Sequence, residues 1–193
     1  NQSKLKYLFK FIFINYHLIK CRLKYYLFGI SAIEYLIPSL HPMLIIPTLK
    51  LFNAKIGNKT VIRSGLRITN SYGSSDSKND FSHLQIGNNC YLSNNLIIDL
   101  SSNIIINDNV LIAPDCKFIS HIDTGDRIKD LNIIPRYEPI IVHNDVYIGV
   151  SAIILPGVTI GTRAIIGSCA LVTKDIKMNS TNYGIPAREV SKA

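Results

Sequence analysis

The chain has 193 residues, 47% of them hydrophobic, and a formal net charge of +8, which fits one well-buried domain and excludes a disordered chain. Four scattered cysteines (Cys21, Cys90, Cys116, Cys169) form no CxxC pair, so a zinc ribbon or redox motif is excluded and a reducing compartment fits. The charge is lopsided: residues 1–55 hold eight basic residues against Glu34, while the other 138 hold 13 basic and 12 acidic residues. A nucleic-acid binder carries its basic residues on the folded binding face, and a nearly neutral body excludes that partner.

In chain order, the first element is helical. Leu5, Leu8, Phe9, Ile12, Phe13, Tyr16 and Ile19 fall at helical spacing, with Phe11 and Ile14 widening the apolar face and six Lys or Arg residues supplying charge. Pro38, Pro42 and Pro47 are expected to close helical territory, leaving residues 1–50 as a basic amphipathic helical segment. Two uses of it stay open. Packing on the body or on a neighbouring subunit is favoured, because so much apolar surface sits badly in water. The alternative is peripheral contact of residues 1–40 with an anionic membrane. No run reaches the roughly 18 apolar residues of a membrane span, and no cleavage site follows a short apolar core. The expected location is cytoplasmic, or peripheral at the inner face of the plasma membrane.

From Ile56 onward a period of six takes over. Val142, Ile148, Ile154, Ile160, Ile166 and Val172 are all β-branched, and Val146, Ala152, Val158, Ala164 and Ala170 recur as small residues between them. Shorter runs precede these: Ile56, Ile62, Ile68; Ile86, Leu92, Ile98; Ile106, Ile112, Phe118. Neither a helix (3.6) nor an amphipathic strand (2) alone predicts recurrence at six. Three short flat sides per coil do, with stacked coils pairing as parallel strands around an aliphatic column. Gly149, Gly161 and Gly167 follow their aliphatic residues, as expected where the chain turns a corner. The period lapses over 71–83 and 121–139, which are expected to leave the column as loops. Residues 51–193 thus form one domain, with strands over 56–70, 86–120 and 140–176.

The runs Val146–Gly149, Ile154–Gly161, Val172–Ile176 and Gly184–Arg188 resemble the hexapeptide-repeat acyltransferases, in the branch of galactoside, maltose and capsular-sugar O-acetyltransferases. The resemblance covers roughly residues 50–190. It implies an all-β, left-handed parallel β-helix and a homotrimer with active sites between subunits. It also implies acetyl-CoA as co-substrate and a saccharide acceptor, a cell-surface or capsular glycan or its precursor. Carried over by position, the CoA contacts fall on Ser168, Thr173, Lys174 and Arg188. Cations there would complement the phosphates. Val150 stands where the family has a serine. Ser93, Asn94 and Asn95 occupy the region of an asparagine near the acceptor, and Asp99 falls close to a family aspartate.

His121 stands at the junction where the family's catalytic histidine lies. Acetyl transfer from a thioester needs a base for the hydroxyl proton, and imidazole suits that step. Asp99, Asp123 and Glu138 are candidates for orienting it, and spacing does not choose among them. His143 and His83 are expected to be surface and loop residues. The loop Ile122–Glu138, with Asp123, Asp126, Arg127, Lys129, Asp130 and Arg136, could equally bind sugar hydroxyls or be solvated surface. No metal is expected, since a three-histidine site would need partners that His121 lacks. Two other functions stand beside sugar O-acetylation: N-acetylation of an amino sugar or other small amine, and a non-catalytic β-helix scaffold.

Overall fold

A computed structural model describes residues 2–72, 78–123 and 133–190. The sixfold period becomes a left-handed parallel β-helix of three sheets. The first sheet stacks Lys55–Ile56, Leu84–Ile86, Ile104–Ile106, Ile140–Val142 and Thr159–Ile160. The second runs from Val61–Ile62 through Tyr147–Ile148 and Ile165–Ile166 to Thr181–Tyr183, and the third from Arg67–Thr69 through Ile97–Asp99, Lys117–Phe118 and Ile153–Ile154 to Leu171–Val172. Strands of two or three residues suffice, because the next coil takes up each side's backbone groups. Every aliphatic residue of the period is at most 7% exposed, and so are the small residues between Val146 and Ala170. Each large one adds about 1.5–3 kcal/mol by burial.

Register shows where chain is inserted. Successive partners Ile56, Ile86, Ile106, Val142 and Ile160 lie 30, 20, 36 and 18 residues apart. All the excess over 18 leaves the column at one corner, between the third sheet and the next strand of the first. That corner gathers the polar residues described below.

Several corners are held by residues with positive φ, including Asn89, Asn95, Asn109, Asp115 and Asp145, where short polar side chains tolerate the left-handed region. Gly149, Gly161 and Gly167 are not among the glycines with positive φ. Their reason is space: a Cβ on Gly161 would lie 2.5 Å from the Met178 nitrogen, and one on Gly149 2.6 Å from that of Ser168. The three glycines do open corner turns, their carbonyls accepting from the Ala152, Ala164 and Ala170 N–H groups, and close stacking of neighbouring coils is what demands glycine there.

The helical segment differs from expectation at its prolines. Helix α1 spans Gln2–Glu34 with a kink at Gly29, and α2 spans Pro42–Leu51. Pro42 opens α2, where its missing N–H costs nothing, and His41 caps it by accepting from the Met43 N–H at 3.3 Å. Pro47 lies inside α2, whose Leu44, Ile45 and Leu49 are buried, so packing outweighs the proline's cost. Together with Cys21, Ile30, Ile33 and Ile37, these residues cover the first coil, α2 touching the strands at Lys55 and Val61 and α1 that at Arg67. One face of the first half of α1 stays off its own body: Phe9, Ile12 and Ile19 are 63%, 54% and 65% exposed. At the other end Thr181–Tyr183 and Arg188–Val190 close the stack as an antiparallel pair.

The loop expected over 121–139 begins as structure. His121–Ile122 pairs antiparallel with Arg136–Tyr137, forming a ribbon at the base of the insertion. Residues 73–77 and 124–132 lie outside the described residues, and with them Asp126, Arg127, Lys129 and Asp130.

Candidate active site

The insertion corner holds an ordered polar cluster. Asp99 ends a third-sheet strand, 2% exposed, with Asn70 on the preceding coil and Ser120 and His121 on the following one. Its Oδ1 accepts from the Asn70 amide at 2.9 Å, the Ser101 N–H at 3.1 Å and the Ser101 hydroxyl at 2.8 Å. Its Oδ2 accepts from the Ser120 N–H at 2.8 Å and from His121 Nδ1 at 2.6 Å. Burial pushes the Asp99 carboxyl up, but the hydrogen bonds from His121, Asn70 and Ser101 outweigh it and hold the group below the usual aspartate range. A buried carboxylate is tolerable when it is this fully bonded.

The contact settles the roles of the two imidazole nitrogens. Nδ1 carries the proton it donates to Asp99, which leaves Nε2 as an acceptor. The His121 side chain is 28% exposed, and Tyr137 stacks against the ring at 6.0 Å with an interplanar angle of 13°. Of the three carboxylates open in the sequence, only Asp99 meets His121. Asp123 accepts instead from the Tyr137 hydroxyl, a bond that, ahead of burial, holds that phenol above its usual range. The Glu138 carboxylate lies beside Gly157.

A second buried carboxylate stands nearby. Glu34, the last residue of α1, accepts from the Ser71 N–H at 2.8 Å and the Ser71 hydroxyl at 2.6 Å. Burial and, after it, the charge of Asp99 hold its carboxyl above the usual glutamate range.

The remaining candidates are spread along the coil. Ser93, Asn94 and Asn95 sit at the opposite edge of the third sheet, four residues of extended chain (about 13 Å) from Asp99, so one chain does not bring them to His121. Asn95 lines an open groove of about 600 Å³ with Arg67, Asp115, Lys117 and Ser151. Lys174 and Arg188 share a groove of about 320 Å³ near the last coil. Thr173 and Ser168 are exposed, and neither lines that groove. His83 is tied to the Leu100 carbonyl at 3.0 Å, and His143 approaches the Asn107 amide at 3.4 Å. Among the described residues no group of three or more His, Cys, Asp or Glu is arranged to hold a metal ion. Cys116 is buried, and burial pushes its thiol up to about 11, so it stays protonated.

Sequence reasoning missed Asn70, Ser101, Ser120 and Tyr137. The extra two residues between Ile98 and Ile104 were a signal for Ser101, since an insertion that short must bend back at once. Tyr137 carried none, because its place depends on the ribbon.

Residues 139–174 match the family "Bacterial transferase hexapeptide (six repeats)". The galactoside O-acetyltransferase of Escherichia coli K12 is 36% identical over 110 residues, covering 56% of this chain and 54% of that protein. The chain spans about half the length of the curated relatives it matches. A solved galactoside acetyltransferase in complex with coenzyme A aligns with a TM-score of 0.68 at 28% identity, covering 91% of this chain and 82% of that one. A hexapeptide-repeat acetyltransferase from Vibrio cholerae, complexed with acetyl coenzyme A, aligns with a TM-score of 0.70 at 21% identity, covering 84% of each; this second likeness is one of fold.

Proposed function

We propose, from the hexapeptide-repeat match over residues 139–174 and the likeness to galactoside O-acetyltransferases, that the chain transfers acetyl from acetyl-CoA to a saccharide hydroxyl, with His121 as general base. The observation that carries the reading is the 2.6 Å contact of His121 Nδ1 with buried Asp99, which leaves Nε2 as the nitrogen to take a proton. The galactoside O-acetyltransferase relatives support a hydroxyl acceptor. Capsular or other cell-surface glycans and their precursors are the acceptor class we infer.

Acetyl-CoA supplies an activated acyl group and a thiolate leaving group. His121 Nε2 takes the acceptor's hydroxyl proton as that oxygen bonds to the acetyl carbon, and returns it to the departing sulfur. The imidazolium formed between these transfers is stabilised by the Asp99 carboxylate, which stays ionised throughout. Lys174 and Arg188 fit phosphate recognition, since they place two cations on one open groove, and Ser168 and Thr173 are assigned to the same ligand. Ser93, Asn94 and Asn95 would reach the acceptor from a neighbouring subunit of a homotrimer, which accounts for their distance from His121 within one chain.

The test is mass spectrometry of candidate glycans incubated with the protein and acetyl-CoA. A gain of one acetyl group that mild base removes is expected. An acetyl that withstands base marks an amine acceptor, and no transfer to any acceptor marks a scaffold. His121→Asn should lower the rate by roughly 10²–10⁴ while acetyl-CoA binding persists. Retention of more than half the activity removes His121 from the role of base.

A further inference from the structure

Helix α1 uses one face to hold the body and leaves another without a partner. Ile14 and Cys21 pack into the core, as does Ile30 beyond the kink at Gly29, and His17 Nε2 lies 2.8 Å from the Thr48 hydroxyl. At about 100° per residue, Leu5, Phe9, Ile12, Tyr16, Ile19 and Leu23 fall on the side away from that seam. All six are more than half exposed. They form a stripe about 140° wide with their apolar neighbours. Lys4 and Arg22 border it on one side and Lys6 and Lys24 on the other, while Lys20, its ammonium over the Tyr16 ring, falls just inside the far edge. Residues 2–28 carry no acidic side chain.

We propose that α1 lies flat in the headgroup region of an anionic lipid bilayer, apolar stripe down and flanking cations among the lipid phosphates. The pattern is that of an interfacial helix: aromatic and aliphatic residues on one side, Lys and Arg at both borders. No helix of the described residues is long and apolar enough to cross a membrane, so the helix lies on the bilayer. Charge decides against a second copy of the chain as occupant, because stripe against stripe would oppose two sets of six cations with no carboxylate between them. The rest of the chain beyond residue 55, with 13 basic and 12 acidic residues, carries no net negative charge to match the stripe. An anionic leaflet supplies both an apolar layer and counter-charge. Anchored so, the protein would act on acceptors held at or near that surface.

Co-sedimentation of the full chain tests this, using vesicles of phosphatidylcholine alone or mixed with phosphatidylglycerol. The chain is expected to pellet with the anionic vesicles and to be released by salt. Lys4→Gln with Lys6→Gln and Arg22→Gln should weaken that partitioning by roughly 100-fold. Phe9→Asp with Ile12→Asp should abolish it, and neither set should change oligomer mass or activity on a soluble acceptor, since none of these residues touches the core or the site. Wild-type chain left in the supernatant with anionic vesicles overturns the proposal, as does pelleting indifferent to the Lys and Arg changes. Dissociation of the Phe9→Asp, Ile12→Asp chain in sedimentation velocity overturns it too, because the stripe would then be an interface between copies.

Discussion

Replacing Asp99 by asparagine tests the catalytic pair with almost no change in shape. The carboxylate accepts from both sides, with the Ser101 N–H at Oδ1 and the Ser120 N–H at Oδ2. An amide accepts on one side only, so either orientation strands a buried backbone N–H against an NH2 group. That costs about 1–3 kcal/mol, a fall in thermal midpoint on the order of 5 °C for a chain of this size. The catalytic loss is larger. In either orientation the imidazolium loses its charged partner, about 1.5–3 kcal/mol for a hydrogen bond to a charged group. Where the amide nitrogen faces the ring, the proton must also move from Nδ1 to Nε2, removing the base. We expect kcat to fall by roughly 10²–10⁴ with the acetyl-CoA KM nearly unchanged, read by thiol release alongside a melting curve. The reasoning fails if Asp99→Asn keeps more than half of the wild-type kcat, or if lost activity merely follows lost folded protein.

Lys174→Ala and Arg188→Ala should each raise the acetyl-CoA KM far more than they lower kcat, by about 1.5–3 kcal/mol; unchanged KM in both places the CoA groove elsewhere. Glu34 is held above its usual range in the fold, so the folded state binds its proton more tightly and stability is lost as pH rises from the usual glutamate range through the folded value. Urea midpoints of Glu34→Gln should therefore gain on wild type over that window, and a constant difference refutes the assignment. Asp99 has the opposite sign: its contribution is present above the unfolded aspartate value and lost as pH falls through the depressed folded one, so Asp99→Asn should flatten the acid limb of the same titration. Gly161→Ala would drive a Cβ to 2.5 Å from the Met178 nitrogen and should cost about 1–3 kcal/mol; a stability equal to wild type contradicts the close stacking.

The column is legible in the spacing of the residues. Periodicity is a local property: helical pitch scatters residues six apart around the axis, and a single strand from Val142 to Val172 would run about 100 Å, so spacing points to the three-sided coil. Its hand came from resemblance, not spacing. The cationic stripe of α1 is likewise local, because helical pitch sorts Lys and Phe wherever the helix lies. Tertiary structure decided what depends on stacking. Asn70, Asp99 and His121 are 29 and 22 residues apart, and insertions of different length separate their coils; only register shows that they meet at one corner. It also chose Asp99, 22 residues from His121, over Asp123 at 2 and Glu138 at 17, because direction across the corner is not encoded in spacing. Pro47 stayed helical for the same kind of reason: a propensity of a few kcal/mol gives way when Leu44, Ile45 and Leu49 are buried against the first coil.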